Sequence, residues 1–368
     1  MKEGWEYKII AEICDKASSN LAQNKIENID GQYPVYGASG FVKTIDFFHR
    51  EKEYIGVVKD GSGVGRVNIY PAQSSLLGTM QYIIPKEGFS LGFVAYALKG
   101  LNLASFASGA AIPHIYFKDY GKCKINVPPL TEQERIVSEL DLLTSIINKQ
   151  KEQLKELDSL AQSIFYDMFG DPIENPKGWE IKKWVELFDT RLGKMLDRKK
   201  QVSSDKLCPY LANINVKWGC VDLSALNEMT FSDNEIKEFQ LEKGDLLICE
   251  GGEAGRCAIW NFENSNIKFQ KAIHRARIKN NMINNVFTCY YIMFLKREGG
   301  LKDYISKATI EHLTGVKLNT VPVFLPPLSL QQSFASKIEA IEAQKALITK
   351  SMEETQRLFD SRMDYWFA

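Results

Sequence analysis

Two arginines stand at the exits of two glycine-rich loops, and they are the side chains in this sequence best suited to gripping an anion or a base edge. Tyr54-Ile55-Gly56-Val57-Val58 reads as a strand, runs into Lys59-Asp60-Gly61-Ser62-Gly63-Val64-Gly65-Arg66, and leaves through strand-like Val67-Asn68-Ile69-Tyr70. Asp245-Leu246-Leu247-Ile248-Cys249 enters Glu250-Gly251-Gly252-Glu253-Ala254-Gly255-Arg256 in the same way and leaves through Cys257-Ala258-Ile259-Trp260. Glycine permits positive φ in a tight connection, so both segments are predicted as β-hairpin turns. A guanidinium at the exit can bridge a phosphate or read guanine through two parallel hydrogen bonds. Neither loop is a nucleotide-binding signature: Gly-x-x-x-x-Gly-Lys-Ser/Thr is missing, and Gly61-Ser62-Gly63-Val64-Gly65 is not Gly-x-Gly-x-x-Gly.

A second pair of loops ends in histidine. Ala107-Ser108-Gly109-Ala110-Ala111-Ile112-Pro113-His114 is matched by Ser306-Lys307-Ala308-Thr309-Ile310-Glu311-His312, 198 residues further on. A lone histidine is more often a structural residue than a functional one, and no Asp/Ser or Cys partner set is spelled that would make a triad or a metal cluster. Both roles stay open for His114 and His312. The globular stretches differ in their early segments, Tyr33-Pro34-Val35-Tyr36-Gly37-Ala38-Ser39-Gly40 against Pro209-Tyr210-Leu211-Ala212-Asn213-Ile214-Asn215-Val216-Lys217-Trp218-Gly219. Tyr33 and Tyr210 are expected to pack, whereas Asn213, Asn215 and Lys217 are polar enough to be exposed. The candidate contact residues are therefore Lys59, Ser62, Arg66, Ser108 and His114 in the first stretch, and Asn213, Asn215, Lys217, Glu253, Arg256, Lys307, Thr309 and His312 in the second.

What must position these loops is legible in a duplication. Val127-Pro128-Pro129-Leu130-Thr131-Glu132-Gln133 opens one long periodic segment and Phe324-Leu325-Pro326-Pro327-Leu328-Ser329-Leu330-Gln331 opens another. The globular stretches also begin alike, Gly4-Trp5-Glu6 with Glu12 and Asp15, then Gly178-Trp179-Glu180 with Glu186 and Asp189. The order is globule, rod, globule, rod.

In the first rod Ile136, Leu140, Leu143, Ile147, Gln150, Leu154, Leu157, Ala161, Ile164 and Met168 follow each other at alternating four and three, the seam of a coiled coil. A Thr131-x-x-Glu134 capping box can start it and Gly170-Asp171-Pro172 stops it. The 198-residue shift maps the seam onto Phe334, Ile338, Ile341, Lys345, Ile348, Met352, Thr355, Phe359, Arg362 and Trp366, a weaker copy. At ~1.5 Å per residue each rod is roughly 57 Å long. Antiparallel pairing would set Leu143 against Met352, Ile147 against Ile348, Leu154 against Ile341, and Gln150 against Lys345. That polar pair either fixes register or leaves Lys345 reaching out to water.

Composition agrees with two soluble domains: 368 residues, 45% hydrophobic, 25% charged. The most apolar run, Leu91 to Leu98, is too short for a membrane span, and Met1-Lys2-Glu3-Gly4-Trp5 has no signal core, so a cytoplasmic location is expected. Seven scattered cysteines with no Cys-x-x-Cys pair indicate reduced thiols and no zinc site. Lys plus Arg and Asp plus Glu both total 46, so any nucleic-acid footprint must be local.

These residues resemble the specificity (S) subunit of type I restriction-modification systems over essentially the whole chain. The most specific piece is Pro128-Pro129-Leu130-Thr131-Glu132-Gln133-Glu134-Arg135-Ile136; Pro326-Pro327-Leu328-Ser329-Leu330-Gln331-Gln332 is its degraded copy, with Leu330 replacing Glu132, and Asn175-Pro176-Lys177-Gly178-Trp179 opens the second recognition domain. The resemblance implies an α+β fold of two α/β-type target-recognition domains, residues 1–130 and 171–328, joined by two antiparallel coiled-coil helices, 131–170 and 329–368, in pseudo-two-fold arrangement. It further implies a non-catalytic, DNA-binding subunit without a cofactor of its own. Its partners would be double-stranded DNA with a bipartite target, two modification (M) subunits carrying S-adenosylmethionine, and in some systems restriction (R) subunits, with no membrane. The chain's lack of an Asn-Pro-Pro-Tyr/Phe motif agrees with this. The competing reading is a coiled-coil scaffold whose globules bind proteins, favoured slightly by the neutral charge and opposed by the loop arginines.

Overall fold

The computed structural model describes residues 4–109, 112–195, 206–263, 265–307 and 311–367. The chain divides into two compact units, one comprising Met1–Gln153 with Ile348–Ala368 and the other Leu154–Leu347. Each therefore combines a globule with one portion of each long helix, Leu130–Phe169 and Leu328–Phe367, both of 40 residues.

In the first unit a four-stranded antiparallel sheet runs in the order Cys14–Ser18, Met80–Pro85, Tyr54–Val58, Val67–Tyr70. The second unit repeats it as Phe188–Leu192, Ile273–Ile278, Leu246–Cys249, Cys257–Ile259. A three-stranded sheet accompanies each, Tyr33–Gly37 with Gly40–Ile45 and Ser75–Leu76 in one, and Lys206–Leu211 with Asn227–Phe231 and Lys268–Phe269 in the other. The central strands Tyr54–Val58 and Leu246–Cys249 are buried along their whole length, as uninterrupted apolar runs require. The repeated glutamates have a local job: Glu12 accepts the Ile9 N–H at 2.8 Å and Glu186 the Lys183 N–H at 2.7 Å, capping one short helix in each unit.

Both long helices open at the leucine after the Pro-Pro pair, two residues earlier than a Thr131 cap would place the first. The reason is that Pro129 and Pro327 carbonyls already accept helical N–H groups, from Glu132 and Gln133 and from Leu330 and Gln331. The shared glutamine ties this corner to the globule. Gln133, 1% exposed, donates to the Pro128 carbonyl at 2.9 Å and accepts the Ser90 N–H at 2.9 Å, and Ser90 is the N-cap of helix Leu91–Gly100. Gln331, fully buried, does the same with Pro326 and with Asn284, the N-cap of helix Asn285–Arg297. Gln133→Leu roughly keeps the volume but strands a half-buried donor and a buried acceptor, so it should destabilise the first unit by about 1–3 kcal/mol. Urea unfolding would show it; an unchanged midpoint would mean that water replaces the amide.

The seam positions are buried or half-buried in both helices, while Leu142, Leu347 and Leu358, which lie off the seam, are exposed. The helices pair antiparallel within each unit. In the first, Glu139 pairs with Arg362 and Gln150 Nε2 donates to Ser351 Oγ at 2.9 Å. In the second, Lys345 Nζ lies 2.8 Å from Asp158 and 2.9 Å from Glu342, and Phe165 packs edge-on against Phe334. Burial alone would lower the pKa of Lys345, but its two carboxylate partners outweigh that and hold it raised.

The expected Gln150–Lys345 pair does not form. Gln150 meets Ser351, six positions beyond Lys345, and Lys345 meets Asp158, eight beyond Gln150, so the pairing is slid by one heptad and the other expected seam pairs move with it. A one-heptad slide leaves every seam residue on the seam. Periodicity cannot choose between the two registers. The choice is made where the helices enter the globules, by Phe165, Phe169 and Phe334 in one core and by Ile136, Leu140 and Trp366 in the other.

Candidate nucleic-acid interface

Each glycine-rich loop is the connection of an antiparallel hairpin, closed by the same two bonds. Val58 N–H donates to the Arg66 carbonyl at 2.9 Å and Gly65 N–H to the Val58 carbonyl at 2.8 Å; Cys249 and Arg256, and Gly255 and Cys249, repeat them at 2.7 and 2.9 Å. Gly65 and Gly255 hold φ of +86° and +91°, where a side chain would be strained. The histidine loop is stapled alongside, through Ile115 N–H to the Lys59 carbonyl in one unit and Leu313 N–H to the Glu250 carbonyl in the other. Ser108 pairs with His114 as Ser306 does with His312. The two candidate loops of each unit thus form one surface.

The same frame carries different side chains. In the first unit Arg66 is exposed, and its Nε donates to the Gly63 carbonyl at 3.3 Å. Ser62 and Ser108 are exposed, and Lys59 is half-buried with Nζ 3.8 Å from Asp60. His114 Nδ1 lies 2.8 Å from Asp60 Oδ1. In the second unit Arg256 is only 17% exposed, donating to Glu253 at 3.0 Å and to the Asn213 carbonyl at 2.6 Å. Glu253 also accepts the Trp218 indole N–H at 2.6 Å. Arg66 is presented; Arg256 braces its loop.

Asn215 corrects the expectation of exposure. It is 5% exposed, accepting the Ala212 N–H and donating to the Asp222 and Ala225 carbonyls, so its amide folds the loop. Asn213 and Lys217 are half-buried, with Asn213 Nδ2 donating to the Gly251 carbonyl at 3.2 Å. Lys307 lies in the strand Ser306–Lys307 beside Glu311–His312, His312 is exposed, and Thr309 lies outside the described residues. Tyr210 packs as expected, 6% exposed, and Tyr33 stacks edge-on with Phe48.

Sequence reading missed Asp60 as the partner of His114, because 54 residues separate them and only the backbone staple brings them together. It also missed Ile214, 66% exposed between two amides, and Phe41, 63% exposed in the hairpin strand Gly40–Ile45. An apolar side chain in a polar run was the available signal for Ile214. Among the described residues no group of three or more His, Cys, Asp or Glu is placed to hold a metal, and no helix is long and apolar enough to cross a membrane.

Comparison with known proteins fits this geometry. The chain is similar to the type I restriction enzyme MjaVIII specificity subunit of Methanocaldococcus jannaschii, 23% identical over 367 residues that cover 90% of this chain and 84% of the relative. Its fold is that of the type I restriction-modification S subunit from M. genitalium, with a TM-score of 0.63, 16% identity, and 99% and 96% of the two chains covered. It also matches a chain solved in work on complex assembly and conformational transition of the type I R-M system, at a TM-score of 0.58, 18% identity and coverage of 99% and 98%. The family model described as the type I restriction modification DNA specificity domain matches residues 2–156 and again 176–357, one match for each structural repeat, and the chain belongs to that family.

Proposed function

We propose that the chain is the DNA-recognition subunit of a type I restriction-modification complex in which each unit reads one half of a bipartite target. The long helices set the distance between the half-sites and dock two modification subunits, which bring S-adenosylmethionine and methylate adenine. The chain itself supplies recognition and no catalytic group, and the complex works in the cytoplasm. The observation that carries this reading is the repeated hairpin-and-histidine surface with unlike side chains, one frame presenting two sets of contacts. Its zero formal charge is in keeping with partners that neutralise most of the phosphates.

The test is co-expression with the cognate modification subunit followed by sequencing of methylated genomic DNA. One motif of two defined segments around a fixed spacer is expected. A single continuous motif, or no methylation, would refute the proposal.

Arg66→Ala should alter preference or occupancy at one half-site only, at a cost of about 1–3 kcal/mol for a two-bond contact to guanine. Arg256→Ala should instead lower the stability of the second unit, because Arg256 holds Glu253 and the Asn213 carbonyl. Methylation profiles and melting curves of the two variants separate these outcomes, and an Arg66 variant with unchanged profile and occupancy would remove the contact.

A further inference from the structure

The second unit has an open cavity of about 360 Å³ where the first unit is plugged. The strand pairings align the two places. Ser18 stands opposite Gln81 in one sheet and Leu192 opposite His274 in the other, and the short helices Phe117–Tyr120 and Gly315–Leu318 follow the two histidine loops at the same interval. In the first unit the Tyr120 hydroxyl donates to Gln81 Oε1 at 2.8 Å and the Phe117 ring packs edge-on against Tyr120 at 5.2 Å. In the second unit those positions are Leu318, without a hydroxyl, and Gly315, without a ring. The space is left open against His274.

The chemistry around the cavity is specific. His274 is 1% exposed, and its Nε2 donates to the Leu313 carbonyl at 2.9 Å, so Nδ1 carries the lone pair. Burial lowers the imidazole pKa, which keeps the ring neutral. His274 Nδ1 and Asn319 Oδ1 are both buried with no hydrogen-bond partner among the described residues. Buried acceptors of this kind are normally satisfied. Glu250 adds a carboxylate to the lining, whereas Leu192 and Val316, 38% and 79% exposed, add apolar surface. Unpaired acceptors with apolar flanks suit a flat ring that carries N–H donors.

We infer that this cavity holds an amino-bearing nucleobase, its exocyclic N–H groups toward His274 Nδ1 and Asn319 Oδ1 and its ring between Leu192 and Val316. The inference rests on the reading of the second unit as DNA-bound, since the cavity adjoins the surface through Glu250, whose carbonyl staples the histidine loop. The base comes either from the duplex, turned out of its stack, or from a free nucleoside. Thymine is disfavoured because its two carbonyls would face the acceptors.

The discriminating variant copies the plug that already packs in this chain: His274→Gln, Gly315→Phe and Leu318→Tyr together. Asn319→Leu, at a half-buried position, is the second variant should the triple one not fold. The complete chain with its modification subunit is placed on duplexes of the mapped motif, with 2-aminopurine at each position of the second half-site in turn. Adenosine, cytidine and thymidine are titrated separately by calorimetry. A severalfold rise in fluorescence at one position, lost in the variants, supports a base taken from DNA. Saturable heat with adenosine or cytidine but not thymidine, again lost in the variants, supports the same pocket with a free nucleoside. If no position brightens and neither nucleoside binds the unmodified protein, the inference is overturned, even while a bipartite methylated motif leaves the proposed function standing. Absence of any bipartite motif would sink that function instead, and the nucleoside titration would still decide the pocket.

Discussion

Three heptads inserted at matching points of both long helices, after Gln150 and after Lys350, should move the recognised half-sites apart by about one turn of DNA and abolish methylation at the original motif. Twenty-one residues at ~1.5 Å each add about 32 Å, close to the roughly 34–36 Å of one B-DNA turn. Both units would then meet the same face of the duplex again. A single heptad adds only about 10 Å, or about three base pairs at 3.4 Å each, which carries the second half-site about 100° around a duplex of 10–10.5 base pairs per turn. It should therefore impair function unless the complex twists.

The insertion points follow from the observed register, because Gln150 bonds Ser351 and both breaks then fall at the same level of the pair. Insertions of whole heptads preserve the seam, whereas four residues would rotate it away from its partner. Methylation mapping of cells carrying each version gives the answer. An unchanged spacer with the three-heptad chain would show that the helices do not set it.

The second large effect is expected from Arg277→Ala, which should destabilise the second unit by about 3–5 kcal/mol by stranding a buried carboxylate. Asp245 is 2% exposed; Arg277 grips its two oxygens at 2.7 and 2.8 Å, and the Glu242 N–H donates at 2.7 Å. The bond to Asp245 also holds the guanidinium pKa above its ordinary value, against the pull of burial. Asp245 begins the chain path into strand Leu246–Cys249 and the glycine-rich loop beyond it, so the loss falls on the candidate contact surface as well as on the core. Against a usual domain stability of about 5–15 kcal/mol, this can unfold the unit at 37 °C.

Pairing Arg277→Met with Asp245→Asn should recover much of the loss by removing the charge together with its partner. Calorimetry should show one transition shifting in the single variant and returning toward its place in the double. A single variant as stable as the parent would mean that water reaches Asp245.

The duplication, the helices and their seam were legible because each depends on spacing along the chain, and a repeated Pro-Pro-Leu or Gly-Trp survives as spacing. Gln133 and Gln331 were visible in the repeat, although their bonds to Ser90 and Asn284 were not, since those run to residues 43 and 47 positions away. Contact residues were less accessible for a related reason. Arg66 and Arg256 occupy one backbone position, yet Glu253 and the Asn213 carbonyl fold one inward while the other faces solvent. Asn215 looks like a contact residue by type, but an amide that satisfies three backbone groups becomes part of the loop's skeleton. Register failed for its own reason: a repeating pattern matches itself after every period.

The helix ends carry a further implication. In the second unit Phe169 runs on through residues 170–178 to Trp179, whose indole N–H returns to the Phe169 carbonyl at 2.9 Å. In the first unit the corresponding tryptophan, Trp5, stacks on Trp366 at 5.9 Å, beside the end of the other helix. In each unit a tryptophan from the start of the globule thus fastens the last residues of a long helix, so Trp5→Ala and Trp179→Ala should each loosen one helix end and leave the other unit as it was.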